Sequence, residues 1–333
     1  MCFLDLGIDS ATGKKKMIYQ GPYTDVCVGV PRLVKIPCGK CVGCRLEYSR
    51  QWANRCMLEL KDHDSAYFVT LTYNDAHLPV RYIHDPDTGE AIPHYSLVKR
   101  DFQLFLKRLR KYCPDDRIRF FMSGEYGDLN QRPHYHAILF GLHLYDLVPL
   151  RKSDQGFWYY RSALVERAWS ERLVANRKKC VTPLAYDPLG YVVVANVSWQ
   201  TCAYVARYVT KKLNGNLSDY EQLGIEPPFS LMSRKPGIGK KYFDDHPDLF
   251  DFDKISVSTP DGGMSFAPPA YFRRLLKQED PDAAQLQADR GRYMSEQAQL
   301  IKSDSTTLSF TEQLAVEEDK KLNALKSLRR SDV

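Results

Sequence analysis

The chain has 333 residues, 44% hydrophobic and 26% charged, enough to bury one large core or two ordinary ones without disulfides standing in for a core. No apolar run approaches the roughly 20 residues that span a bilayer, which excludes a membrane-spanning helix, and Asp5, Asp9 and Lys14 to Lys16 break up the first segment, so no secretory leader is read there and the protein is expected to stay where it is made. The formal net charge of +6, from 47 basic and 41 acidic residues, fits a polyanionic partner.

Residues 2–40 are rich in Gly, Pro and short apolar runs, which predicts turns and brief strands. Leu46, Ser49, Ala53, Cys56, Met57 and Leu60 recur at three- and four-residue spacing and mark an amphipathic helix, with Arg45, Arg50 and Arg55 mostly off its apolar stripe. Tyr67 to Tyr73 (YFVTLTY) reads as a buried strand. Val98, Phe102, Phe105, Leu106 and Leu109 define a second amphipathic helix with a basic outer face and Ser96 as its expected N-cap. Ile118–Met122 and His136–Phe140 flank a turn containing Gly127, Asp128 and Asn130 and should pair as an antiparallel hairpin. Tyr191–Val197 is another strand, followed by a helix over Thr201–Leu213. Six prolines between Pro227 and Pro269 then forbid long regular elements, and from about Leu275 the chain is helix-prone and polar, as expected of a peripheral helix or a mobile tail. The expected organisation is a Cys-rich segment over 1–45, a main domain over 46–275 and a tail over 276–333.

The positive charge is unevenly spread. Arg32 to Lys61 holds seven basic residues against two acidic, Leu97 to Tyr112 six against one, and Arg234, Lys235, Lys240 and Lys241 stand without an acid between them, whereas the basic and acidic residues of 302–333 cancel. Each run alone could be a solvated face. Three of them, with 21 Tyr and 15 Phe to stack on bases, point to nucleic acid.

Strand residues two apart point the same way, so His134 and His136 present both imidazoles on one face, and Glu125 across the turn can reach it. Two imidazoles and a carboxylate, with positions left for water or substrate, make a divalent-metal site of the catalytic kind. Eight histidines in this length give roughly 0.2 such pairs by chance, so the pair needs support from elsewhere. It comes from the later helix. There Cys202, Val205, Ala206, Val209 and Leu213 form the apolar stripe, which leaves Tyr204, Arg207, Tyr208, Lys211 and Lys212 on a cationic face with the two tyrosines one turn apart. A phenol attacks poorly near neutrality unless cations stabilise the phenolate and the electrophile is polarised. Lys211, Lys212 and a metal held by Glu125, His134 and His136 would meet both needs for in-line attack on a phosphodiester.

Taken together these residues resemble the HUH endonuclease superfamily of rolling-circle initiators, relaxases and transposases. FVTLTY (68–73), RPHYH (132–136) and YVARYVTK (204–211) look like its three motifs in order, and two tyrosines three residues apart match its two-tyrosine branch. PCGKCVGCRLEYSRQWANRC (37–56), SGEYGDLNQRPHYHAILFG (123–141) and MSRKPGIGK (232–240) are similar to replication initiators of gokushovirus-type microviruses, small phages with circular single-stranded DNA; the likeness runs to about residue 275. The resemblance implies an α+β fold, RRM- or ferredoxin-like, with a central antiparallel sheet flanked by helices. It implies a Mg2+- or Mn2+-dependent nick at the phage origin on single-stranded or supercoiled circular DNA in the host bacterial cytoplasm, a covalent 5′-phosphotyrosine, and a free 3′-hydroxyl that primes host polymerase. No Walker-type phosphate loop is present, so unwinding is expected from a host helicase. Tyr135 stands between the histidines, where the family often has a bulky hydrophobic residue.

Nine cysteines include Cys38, Cys41 and Cys44 in a C-x2-C-x2-C run, with Gly39 and Gly43 suited to a tight knuckle around structural Zn2+. Cys2 is the first choice for the fourth ligand, Cys27 or Cys56 the second; an iron–sulfur cluster or simple reduced thiols are the alternatives. Two rival functions remain in view. A non-catalytic nucleic-acid-binding zinc module explains the charge but not the tyrosine face, and a nuclease with water as nucleophile needs the histidines but not Tyr204 or Tyr208.

Overall fold

Strands rich in β-branched and aromatic residues need cover on both faces, and this chain supplies it with helices before, between and after its strands. The protein is seen here as a computed structural model, which describes residues 3–8, 15–18, 34–37, 41–84, 87–127, 130–153, 156–172, 186–198, 201–202, 205–206, 217–259, 262–308 and 310–327. In chain order come β1 (Phe3–Ile8), β2 (Lys15–Ile18), β3 (Val34–Pro37), α1 (Val42–Leu60), β4 (Ala66–Thr72), β5 (Val80–His84), β6 (Ala91–Tyr95) and α2 (Lys99–Tyr112). They are followed by β7 (Arg119–Tyr126), β8 (Pro133–Phe140), β9 (Leu147–Lys152), β10 (Trp158–Ser162), α3 (Ala163–Ala168), β11 (Ser170–Arg172), β12 (Tyr186–Pro188) and β13 (Val192–Asn196). After helical residues 201–202 and 205–206 come α4 (Leu217–Gln222), β14 (Phe229–Met232), α5 (Lys240–Asp245), β15 (Ile255–Thr259), β16 (Gly262–Phe266), α6 (Ala270–Glu279), α7 (Pro281–Asp304) and α8 (Phe310–Ser327).

The chain forms two compact units. One comprises residues 1–48 and 276–333, the other residues 49–275. In the first, β1 is the middle strand of a three-stranded antiparallel sheet, and α7 and α8 are long helices that expose apolar side chains such as Leu286, Tyr293 and Leu300. Among the described residues no helix is long and apolar enough to cross a membrane.

The second unit is α+β. Its sheet has seven strands in the order β14-β7-β8-β4-β13-β10-β9, with every neighbouring pair antiparallel. On one face, Phe102, Phe105, Leu106 and Leu109 of α2 and Val165 and Ala168 of α3 pack with Trp169 against Val69, Leu71, Tyr135, Ala137 and Leu139. On the other, Ala53, Cys56 and Met57 of α1 pack with Cys202, Val205, Ala206 and Ile238 against Phe68, Phe121, Ile138 and Phe140. The expected flanked antiparallel sheet is therefore present, and Cys202, Val205 and Ala206 of the predicted stripe are buried in it.

Three local expectations are corrected. Ser96 does not cap α2; Val98 holds the N-cap position without a side-chain cap, and the hydroxyl of Tyr135 does that work, donating to Val98 O and accepting from Val98 N, each at 2.9 Å. Arg55 is not an outward cation but is 8% exposed, its Nε and Nη2 donating to Ile238 O at 3.1 and 2.8 Å and its guanidinium lying between the rings of Trp52 and Tyr271. The segment after β14 and the start of α6 cover a side of α1 that an amphipathic pattern leaves in water. Beside it, buried Glu59 binds Arg119 and accepts from Gly239 N at 2.6 Å; burial alone would raise its carboxyl, but contacts with His63, Arg119 and Gly239 N bring it below its ordinary value. Finally, a β5–β6 ribbon stands between β4 and α2. Its strands are mostly exposed, so they carry no apolar alternation to read.

The site end of the sheet depends on a close approach. Gly190 lies against the end of β4, where an added Cβ would sit 2.0 Å from Thr72 O and 2.6 Å from Tyr73 Cα. The loop is held by Thr72 N donating to Tyr191 O at 3.0 Å and Asn74 N donating to Leu189 O at 2.9 Å. Because the obstructing atoms are backbone, Gly190→Ala is expected to lower stability by about 1–3 kcal/mol, whereas Gly263→Ala, with nothing within 4 Å of its Cβ, should stay within about 0.5 kcal/mol of the parent. Urea unfolding midpoints check both.

Candidate metal centre

Directly opposed residues of an antiparallel pair share a face. β7 and β8 pair so that Glu125 opposes His134 and Ser123 opposes His136, while β4 on the other side sets Thr72 opposite His134 and Thr70 opposite His136. Glu125 is thus cross-strand from His134 inside the ladder, closer than a residue merely across a turn. Its Oε1 lies 2.8 Å from His134 Nε2 and 2.9 Å from His136 Nε2, and one ligand atom from each of the three residues falls within 4.8 Å of the others. Glu125 and His136 are each 1% exposed, and His134 forms the open side of the centre.

The residues around the centre orient the ligands. His134 Nδ1 donates to Arg132 O at 3.1 Å, so in the neutral ring Nε2 carries a lone pair. His136 Nδ1 is 3.0 Å from Thr70 Oγ1 and its ring stacks on Phe68 with centroids 5.6 Å apart. Arg132 in turn donates to Tyr73 O at 3.0 Å and Asp75 Oδ1 at 2.6 Å, tying the β7–β8 turn to the end of β4. Burial alone would raise the Glu125 carboxyl; contacts with the two imidazoles outweigh it and hold the group at about 2, so it is ionised at any physiological pH.

A lone pair on His134 Nε2 aimed at a carboxylate oxygen is a repulsive contact unless a cation or a proton lies between them. The donor set therefore fits a divalent cation, with Glu125, His134 and His136 as its ligands and the exposed side of His134 open to further oxygen ligands. Thr70, Arg132 and Phe68 belong to this centre and were not singled out from the sequence. Threonine within an apolar strand was the available signal, but only the register says which histidine it meets.

Tyr204, Tyr208, Lys211 and Lys212 lie outside the described residues, as do Cys2, Cys27 and Cys38. Cys41 precedes α1 and Cys44 lies in its first turn. Cys56 is not suited to the fourth zinc position. It is fully buried in the apolar cluster on α1, and desolvation together with Cys202 pushes its thiol well above the ordinary range.

Fold and centre together define an α+β protein whose antiparallel sheet carries a two-histidine, one-carboxylate metal-binding site between flanking helices. Residues 66–213 match the family model of the replication-associated protein ORF2, a span that includes both β4 and the histidine hairpin. The chain is 31% identical over 302 residues to replication-associated protein ORF2 of Spiroplasma virus 4, covering 89% of this chain and 85% of that one. It is 29% identical over 254 residues to replication-associated protein VP4 of Bdellovibrio phage phiMH2K, covering 74% and 69%. It belongs to this family of phage replication-associated proteins, the microvirus-type replication initiators that its motifs resemble. No solved structure matches it.

Thr70→Val keeps the side chain's shape and removes the hydroxyl beside His136 Nδ1. Loss of such an outer partner is expected to weaken Mn2+ binding about 10- to 100-fold, read by titration calorimetry, with the far-ultraviolet spectrum unchanged.

Proposed function

We propose that this protein initiates rolling-circle replication of a phage genome by nicking one DNA strand at the origin through tyrosine transesterification. The observation that carries this reading is the convergence of Glu125 Oε1, His134 Nε2 and His136 Nε2 on the sheet face that also buries Cys202, Val205 and Ala206, the first members of the apolar stripe of the tyrosine segment. That stripe gives a helix running along the metal-bearing face, with Tyr204 and Tyr208 in its sequence.

Glu125, His134 and His136 would hold Mg2+ or Mn2+, which when bound supplies a Lewis acid for the non-bridging oxygens of a phosphodiester. Thr70 and Arg132 fix the imidazoles before substrate arrives. Tyr204 or Tyr208 gives up its phenolic proton and attacks phosphorus. A new tyrosine O–P bond forms, the bond from phosphorus to the 3′-oxygen breaks, and that oxygen takes a proton to become the 3′-hydroxyl. Lys211 and Lys212 offset the negative charge that develops. The phosphotyrosine retains the bond energy, so the reverse attack rejoins the strand without a nucleotide cofactor, and a second tyrosine allows another cut while the first holds the end. The free 3′-hydroxyl serves host polymerase, a host helicase separates the duplex, and the host cytoplasm is the setting. On this reading residues 46–275 form the endonuclease domain and 276–333 an accessory tail.

The N-terminal residues 1–45 are proposed to bind structural Zn2+ through Cys2, Cys38, Cys41 and Cys44. Cys41 and Cys44 are three positions apart at the start of α1, a spacing that brings their Cβ atoms to about 5–6 Å. Cys41→Ser should reduce bound zinc from one per chain to near zero by elemental analysis.

The decisive test incubates the protein with circular single-stranded origin DNA and Mn2+ and looks for a protein–DNA adduct that survives denaturant. Wild type should give the adduct and a nicked strand. Tyr204→Phe with Tyr208→Phe should abolish both, and His134→Ala should abolish cleavage while sparing DNA binding. Cleavage without an adduct would indicate a hydrolase, and binding without cleavage a non-catalytic module.

A further inference from the structure

Beside the metal centre the sheet presents a large aromatic side chain that neither apolar cluster uses. Tyr191, just before β13, is 72% exposed. Val192 and Val194 are buried under α2 and α3, and Ala195 is buried on the α1 face. Alternation therefore turns Tyr191 and Val193 to the face of His134 and His136. The ladder pairs Val192 with Leu71, and Thr72 N donates to Tyr191 O at 3.0 Å, so Tyr191 stands opposite Thr72. Thr72 opposes His134, and His134 opposes Glu125. One row across four strands thus reads Glu125, His134, Thr72, Tyr191. With strands about 4.8 Å apart, two strand spacings place Tyr191 roughly 10 Å from His134 along the sheet, within reach of nucleotides flanking a phosphate at the centre.

Its backbone is tightly held. Thr72 Oγ1 donates to Tyr191 O at 3.3 Å, Trp169 Nε1 donates to Thr72 O at 2.8 Å, and Gly190 permits the close approach described above. Among the described residues none hydrogen-bonds the Tyr191 hydroxyl, so what this residue presents outward is its ring. An exposed ring on a fixed backbone, in line with a centre suited to phosphate oxygens, is the arrangement that stacks an unpaired base.

We propose that Tyr191 is a stacking platform for an unpaired base of the DNA strand whose phosphate lies at the Glu125–His134–His136 centre. This rests on the reading that single-stranded DNA is the substrate of that face. The ring acts by contact area and therefore tolerates any base identity, which leaves sequence choice to other residues.

The test measures binding of a fluorescein-labelled single-stranded oligonucleotide by anisotropy in Mn2+, for wild type, Tyr191→Ala and Tyr191→Phe. Stacking worth about 1–3 kcal/mol per base corresponds to a Kd raised about 5- to 140-fold in Tyr191→Ala, with Tyr191→Phe close to wild type. Mn2+ affinity and the thermal midpoint of Tyr191→Ala should match the parent, because the side chain touches neither the ligands nor the core. Photocrosslinking of an iododeoxyuridine-substituted strand should map to Tyr191 by mass spectrometry. Equal affinity of Tyr191→Ala and wild type would overturn the stacking role while leaving the nicking reading intact, provided wild type still forms the adduct. Equal losses in Tyr191→Phe and Tyr191→Ala would overturn it in favour of the hydroxyl. A wild-type protein with no affinity for single strands would overturn both readings.

Discussion

The centre exists because three neighbouring strands are held in one register. In an antiparallel ladder a slip of one residue moves every side chain to the other face. Here such a slip in β8 would push His134 and His136 into the aromatic cluster under α2 and bring Tyr135 to the surface. Tyr135 opposes that slip. Its ring is fully buried among Tyr73, Phe102, Trp169 and Phe229, and its hydroxyl satisfies both backbone groups of Val98 at the start of α2. The residue between the ligands thus anchors them from behind, and its polar tip, where the family more often has an apolar residue, is used as a helix cap. Burial and its hydrogen-bonded neighbours raise its phenol above the ordinary range, which keeps it neutral in that role.

The same register concentrates opposite demands at one point. Glu125 is held ionised in a buried position by two imidazoles, and at least one of those imidazoles has its second nitrogen committed to a carbonyl. Such a cluster is stable only with positive charge inside it. A protein that needed these residues for packing alone would have no reason to place them so, and a divalent ion resolves the conflict directly. The Tyr191 row extends this arrangement along the sheet, from the point suited to phosphate toward a surface suited to a base.

The basic residues divide into two groups. Arg55 and Arg119, with Glu59, bind the backbone of residues 237–239 to α1, so they stabilise the fold and do not face a ligand. Arg108 and Arg110 of α2 likewise bond to Ala168 O and Ile118 O. α2 itself packs on the face opposite the histidines. A cationic run counted along the chain is therefore a poor guide to where a phosphate backbone meets the surface, because arginine fits carbonyls and rings as readily as phosphates.

Local pattern sufficed for α1, β4, α2, the β7–β8 hairpin and β13, whose apolar periodicity is strong, and for the pairing of His134 with His136, since residues two apart in a strand share a face whatever surrounds them. It missed the β5–β6 ribbon and β9, an edge strand containing Pro149, because their residues are exposed and carry no burial pattern. Nor could it tell that Arg55 is buried, that Tyr135 caps α2, that Thr70 meets His136 or that Tyr191 stands in the row of Glu125. Those facts join residues from 9 to 183 positions apart, and strand order and register, which decide them, arise from the packing of the whole sheet between its two helical layers and not from any local stretch of chain.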